Sequence, residues 1–210
     1  MFFNVKKGIF FAALTVFSSL SFGADYKAGV DYTVMADKTN AEDTVVEYFS
    51  VYCPHCYAME VQGIPLLEKG LSDEIDLVKT PVDFMGFVSK AAQTKMGKAF
   101  ILAREQGKAD EFLDIAFPQY HRQKIDNPAG VLSDVLNIDE VEAELLISGD
   151  DIESAFAKEM AYQSELLKKG LKGTPAFIVN GKYLVKMSGL DQKDPLADLV
   201  ALINYLNELD

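Results

Sequence analysis

Beyond residue 23 the chain has no apolar run approaching the about 20 residues that a helix needs to cross a bilayer, so the working protein is expected to be soluble. Positive charge is also scarce. Lys and Arg number 20 against 32 Asp and Glu, for a net charge of −12, and no basic cluster is interleaved with aromatics, which speaks against a nucleic-acid partner. Histidine is confined to His55 and His121, and cysteine to Cys53 and Cys56. That set is too small for a usual four-ligand zinc site, so no metal is expected. A Cys/His hydrolase or a Ser/His/Asp triad would have to rest on His55 or His121, and no serine lies in a G-x-S-x-G elbow. His121, beside Arg122, reads as plain surface. No nucleotide or flavin motif, internal repeat or low-complexity tract occurs, so no cofactor is expected.

The N-terminus carries a basic n-region (Met1 to Lys7), an apolar stretch of 13 residues (Gly8 to Leu20) and small residues around Ser21 and Gly23. This is the pattern of a secretory signal peptide, residues 1–23, and the apolar stretch is too short for the alternative of a membrane anchor. Cleavage after Gly23 removes Lys6 and Lys7 and leaves a net charge of −14. An exported protein with two cysteines would ordinarily use them as a structural staple. Two intervening residues, however, close so small a loop that a disulfide constrains the unfolded chain little, and redox chemistry is the better use of Cys53-Pro54-His55-Cys56.

Residues 24 to 43 fit an edge strand. Thr44 to Val51 (TVVEYFSV) is β-branched and aromatic enough for a buried strand that runs straight into Tyr52 and Cys53. A helix follows, with a kink expected at Pro65 and a stop at Gly70, and Asp76 to Val82 (DLVKTPV) then makes a parallel neighbour, giving a βαβ unit. Between Phe84 and about Met160 strand signals vanish, and helices are expected at Ser89–Glu105, Ala109–Phe117, Pro128–Leu136 and Asp139–Ile147, followed by Ile152–Lys169. Strand chemistry returns at Ala176–Val179, the hairpin pair Asn180-Gly181 and Lys182–Val185, before a C-terminal helix opened by Asp194-Pro195. The expectation is an α/β fold interrupted by an all-helical insertion.

A dithiol at a strand end that opens a helix has one cysteine, Cys53, among unpaired backbone N–H groups that favour an anion, and a second, Cys56, one turn further in. Thiolate is the attacking species, so Cys53 is the expected nucleophile, with one face open, and Cys56 the resolving thiol. The imidazole of His55 is placed to donate a hydrogen bond or carry positive charge near the sulfur, which stabilises the reduced form and favours an oxidant over a reductant.

The chain resembles the DsbA family of periplasmic dithiol oxidases along its whole length beyond the signal. The resemblance rests on Val46-Glu-Tyr-Phe-Ser-Val-Tyr-Cys-Pro-His-Cys-Tyr57, on Val82-Asp-Phe-Met-Gly86 and on Gly173-Thr-Pro-Ala-Phe-Ile-Val-Asn-Gly-Lys-Tyr183. It implies a thioredoxin-like domain (24–83 and 161–210) with an inserted helical domain (84–160). It implies a cis bond at Thr174-Pro175 facing the dithiol, whose residue 174 backbone pairs with substrate; by sequence alone Pro175 also suits the first residue of a strand. Thr174 departs from the valine of the enterobacterial type. The resemblance makes Glu47, which alternation could turn to solvent, a buried acid beneath the disulfide partnered by Lys79. It also makes Tyr52, Phe84 and Met85, otherwise readable as core, a shallow groove for unfolded cysteine-bearing chains. Exported proteins with thiols are the implied partners, a DsbB-like membrane quinone reductase the implied oxidant, and a monomer the default state. The alternatives are an isomerase or reductase on the same fold, or a non-enzymatic holdase.

Overall fold

The computed structural model describes residues 26–38 and 41–209; the expected signal peptide lies outside them. Five strands form one sheet in the order β1-β5-β4-β2-β3, with β1 Tyr32–Val34, β2 Thr44–Phe49, β3 Asp76–Pro81, β4 Ala176–Val179 and β5 Tyr183–Val185. Only the β2–β3 pair is parallel. Its crossover starts with the short helix α1 (Pro54–Ala58), passes through a wide π-type turn at Met59–Gly63 and continues as α2 (Ile64–Gly70). The irregularity expected at Pro65 therefore falls just ahead of it. Proline has no N–H to give to the residue 61 carbonyl, and the widened turn accommodates the missing bond before α2 resumes with Pro65 in its first turn. Pro81 ends β3 on an edge of the sheet, where a missing donor costs no ladder bond to a central neighbour.

The chain between β3 and β4 is helical: α3 Lys90–Glu105, α4 Ala109–Pro118, α5 Pro128–Leu136, α6 Glu140–Ile147 and α7 Asp150–Lys169. Ser89, Asn127 and Asp139 cap α3, α5 and α6 by accepting from backbone N–H groups three residues on. A π-type turn at Gln119–Gln123, for which the sequence offered no periodic signal, follows α4 and closes at Lys124 with φ 61°. The expected boundary at residue 160 lies inside α7. Ile152 and Phe156 of its first half join the core of the insertion, whereas Leu166 packs on the sheet. The Asn180-Gly181 turn has φ of 54° and 63°, both left-handed, as a tight hairpin between twisted strands demands. The C-terminal α8 (Pro195–Asn207), capped by Asp194, lays Leu199, Leu202, Ile203 and Leu206 against Val45, Phe177 and Val179 of the sheet.

One hydrophobic cluster runs without a break from the end of β2 into the insertion. It joins Phe49, Val51, Tyr52, Cys53 and Cys56 to Phe100, Phe112, Phe117 and Leu132. Phe49 makes an edge contact with Phe100 at 4.9 Å between ring centres and a tilted one with Phe117 at 6.1 Å. Replacing Phe49 by alanine is expected to cost about 3–5 kcal/mol, because it opens a cavity where sheet and insertion meet. Urea titration followed by far-UV circular dichroism measures this; a loss below about 1 kcal/mol would mean the junction contributes little.

Candidate active site

Strand β2 delivers Cys53 through a tight turn. The Cys53 N–H donates to Ser50 O at 3.0 Å, and the Tyr52 N–H to Ser50 Oγ at 3.2 Å. Cys53 is then the N-cap of α1, where its sulfur accepts from the backbone N–H of Cys56 at 3.4 Å. The two cysteines are in the dithiol form. The Cys53 thiol is held far below the ordinary value of 9.0, at about 5. The hydrogen bond from the Cys56 thiol contributes most, against partial burial, and the Thr174 side chain and the backbone N–H groups of Cys56 and His55 reinforce it. Cys56, one turn in and more deeply covered, is pushed strongly up, first by burial and then by its hydrogen bond to Cys53. The nucleophile and the resolving thiol thus differ in environment as their positions on the helix require.

Two expectations about this constellation are modified. Cys53 has less of an open face than a nucleophile at a helix start suggested, with only 3 % of its surface exposed against 1 % for Cys56. The His55 imidazole stands exposed at the rim; it is the His55 backbone N–H that favours the Cys53 thiolate. Pro54 beside it is exposed in the first turn of α1. The Thr174-Pro175 bond is cis, and the Thr174 carbonyl lies 3.5 Å from Cys53 Sγ. The Thr174 hydroxyl, absent from valine, favours the thiolate form of both cysteines.

Glu47 sits in β2 with 1 % of its surface exposed, because β2 is an inner strand covered on both faces. Burial, the negative charge of Glu60 and that of Cys53 raise its carboxyl from 4.5 to about 8, with Lys79 opposing. Lys79 lies opposite Glu47 in the parallel register, yet its ammonium goes elsewhere, to Glu60 Oε1 at 2.7 Å and Asp110 Oδ1 at 2.8 Å. The direct Glu47–Lys79 partnership is therefore corrected: Lys79 influences Glu47 only through its field, and Glu47 Oε2 has no hydrogen-bond partner among the described residues. Glu60 and Asp110 were missed. Glu60 follows the dithiol on an apparently ordinary helix face, and Asp110 belongs to α4, so no local pattern ties either to Lys79.

The groove also differs. Tyr52 is 2 % exposed, and its hydroxyl lies 3.1 Å from both Ala92 O and Asp126 Oδ1, so its side chain faces the insertion and not a substrate. Phe84 and Met85 are half-buried, with Met85 Sδ 3.6 Å from Thr174 Oγ1. Phe87, 65 % exposed, extends that side. Beside the cis-proline loop is a cavity of about 380 Å³ lined by His55, Met59, Gln62, Thr174, Pro175, Met187 and Leu196, and neither Phe84 nor Met85 lines it. Its apolar residues Met59, Pro175, Met187 and Leu196 come from four separate stretches of chain, which no local sequence pattern joins. His121 is not plain surface: its Nε2 lies 2.8 Å from Val51 O and its ring stacks on Tyr57 with centres 5.1 Å apart.

A cis-proline loop facing a helix-capping cysteine with a low-pKa thiol, on a five-stranded sheet with a helical insertion, defines a thiol-disulfide oxidoreductase of thioredoxin-like fold. The family model described as Thioredoxin matches residues 31–204. Among curated relatives, a thiol:disulfide interchange protein DsbA of Dickeya dadantii is 30% identical over 177 residues, covering 80% of each chain. The crystal structure of Klebsiella pneumoniae DsbA superposes with a TM-score of 0.70 at 25% identity, covering 88% of this chain and 98% of that one. DsbA of Proteus mirabilis in complex with a non-covalently bound peptide, PWATCDS, gives 0.71 at 25% identity over 88% and 99% of the two chains. The chain belongs to the thioredoxin family, and within it to the DsbA thiol:disulfide interchange proteins.

Two pH dependences follow. In the reduced protein the unfolded chain holds the Cys53 proton up to about 9.0, whereas the folded protein releases it near 5, so the unfolded state binds more protons between these values. The Cys53 contribution to the stability of the reduced form over the oxidised form, which has no thiol to titrate, is expected to be complete by about pH 9 and to be lost as pH falls through 5, whereas above pH 9 the raised Cys56 thiol works against the reduced form. Guanidinium titrations of both redox forms at pH 5, 7 and 9 measure it; a constant difference would contradict the low thiol pKa. Glu47 works in the opposite sense. Its raised folded value makes ionisation costly from about pH 4.5 upward, a cost complete above about 8. Glu47→Gln is expected to stabilise the fold by on the order of 2 kcal/mol at pH 8 and by nothing at pH 4, which the same titrations read.

Proposed function

We propose that this protein is a periplasmic dithiol oxidase that puts disulfides into exported proteins. The observation that carries the reading is the unequal pair of thiols. An anion held at about 5 on Cys53 stabilises the dithiol form, and a disulfide whose reduced product is stabilised is a good electron acceptor.

In the forward direction a substrate thiolate attacks Cys53 Sγ of the Cys53-Cys56 disulfide. The Cys53–Cys56 bond breaks, a mixed disulfide forms, and the electron pair leaves on Cys56. Cys56 is buried and its thiolate is disfavoured, so it takes a proton, a role that suits Glu47, a buried acid that titrates at about 8 and feels the charge of Cys53. A second substrate thiolate then attacks the substrate sulfur of the mixed disulfide and releases Cys53 as a stabilised thiolate. The substrate loses two electrons and gains one disulfide; the enzyme is left as the dithiol.

The cavity between His55, Met59, Met187 and Leu196 suits an apolar stretch of an unfolded chain, while the Thr174 backbone beside it offers strand-like hydrogen bonding. A substrate cysteine laid along that edge meets Cys53. Reoxidation falls to a DsbB-like quinone reductase in the membrane, acting on the exported, monomeric protein. No helix among the described residues is long and apolar enough to cross a membrane.

Equilibration of the dithiol against glutathione buffers tests the direction of transfer. A potential near about −120 mV, the value known for DsbA itself and not one obtained from this structure, is expected. One near the about −270 mV of thioredoxin would leave a reductase instead. Cys53→Ser should abolish oxidation of a reduced model substrate; if that variant retained full effect on folding yield, binding without chemistry would be the function.

A further inference from the structure

Both central residues of the turn that presents Cys53 are held by the insertion. Val51 gives its carbonyl to His121 Nε2 at 2.8 Å. Tyr52 places its hydroxyl between Ala92 O and Asp126, and its ring meets Tyr120 edge-on with centres 4.8 Å apart. Residue 57, immediately after Cys56, is held by the same stretch. The Tyr57 ring stacks on His121 at an interplanar angle of 9° and on Phe117 at 19°, and the Arg122 guanidinium lies 5.5 Å above it. One short stretch of the insertion thus grips the backbone before the dithiol and the side chain after it.

We infer that residues 120–126 form a clamp on the dithiol and that His121 is a positioning residue for disulfide exchange. The inference rests on the dithiol being the exchange centre. His121 does not line the cavity formed by His55, Met59, Pro175 and Leu196. Its action is through Val51. The Ser50–Cys53 turn decides how the first N–H groups of α1 meet Cys53 Sγ, and these bonds stabilise a thiolate that exists only in the reduced protein. Loosening the turn therefore removes more from the reduced form than from the oxidised one.

The test compares the full chain with His121→Gln, whose side-chain N–H reaches about as far as Nε2, and with His121→Asn, which is too short. The readouts are the glutathione equilibrium constant and the unfolding midpoints of both redox forms. His121→Asn is expected to shift the constant toward the disulfide by roughly three- to tenfold, the worth of one hydrogen bond, while His121→Gln stays within about twofold of the parent. An unchanged constant in His121→Asn, or equal destabilisation of both redox forms, would overturn the clamp and leave ordinary packing. Should His121→Asn not fold, Tyr52→Phe probes the other half of the clamp: it keeps the ring, loses the hydroxyl bonds and is expected to shift the constant the same way. No shift there overturns the proposal. Because the clamp is judged from the ratio of variant to parent, a parent potential near that of thioredoxin would count against the oxidase reading alone.

Discussion

The site is organised around one anion, the Cys53 thiolate. A sulfur at the start of a helix meets backbone N–H groups that no earlier residue can satisfy, and in this chain a second thiol one turn along adds its own hydrogen bond. Everything that brings Cys53 to that position bears on the energy of the reduced form: the end of β2, the Ser50 turn, and the cis-proline loop that sets Thr174 against the sulfur. Cys56 is the counterpart. Its burial makes it a poor anion, so the two thiols cannot exchange roles.

Beneath the dithiol, acid groups outnumber the cation they share. Glu47 and Glu60 are both raised by burial, and Lys79 makes its ion pairs with Glu60 and with Asp110 of the insertion. A buried lysine with two carboxylates in reach takes the two it can bond; the third acid, on the neighbouring strand, then lowers its energy by holding a proton. That arrangement gives Glu47 a titration point near neutrality, whereas a direct salt bridge with Lys79 would have kept it ionised.

The insertion is more than a lid. Its aromatic core continues into Phe49, Tyr52 and both cysteines, and its acidic and histidine side chains reach back to Lys79 and to the turn ahead of Cys53. Disulfide exchange on this scaffold is therefore mechanically coupled to a helical unit that supplies neither thiol.

Local chemistry decides much of this molecule. The hairpin at Asn180-Gly181, the caps Ser89, Asn127, Asp139 and Asp194, and a dithiol at the junction of a strand and a helix are all legible because each depends on residues within one or two turns of one another. The π-type turns at Met59–Gly63 and Gln119–Gln123 have no such signature, since they arise where a proline or a packing contact breaks helical register. The burial of Tyr52, the diversion of Lys79 to Asp110, the capture of Val51 O by His121 and the cavity that joins His55 to Met187 and Leu196 bring together residues 31 to 141 positions apart. By itself the sequence determined which atoms carry the chemistry. Only tertiary structure decided their partners, because a side chain buried among several candidates bonds to those whose geometry and charge it can satisfy at once, and that competition is settled in three dimensions.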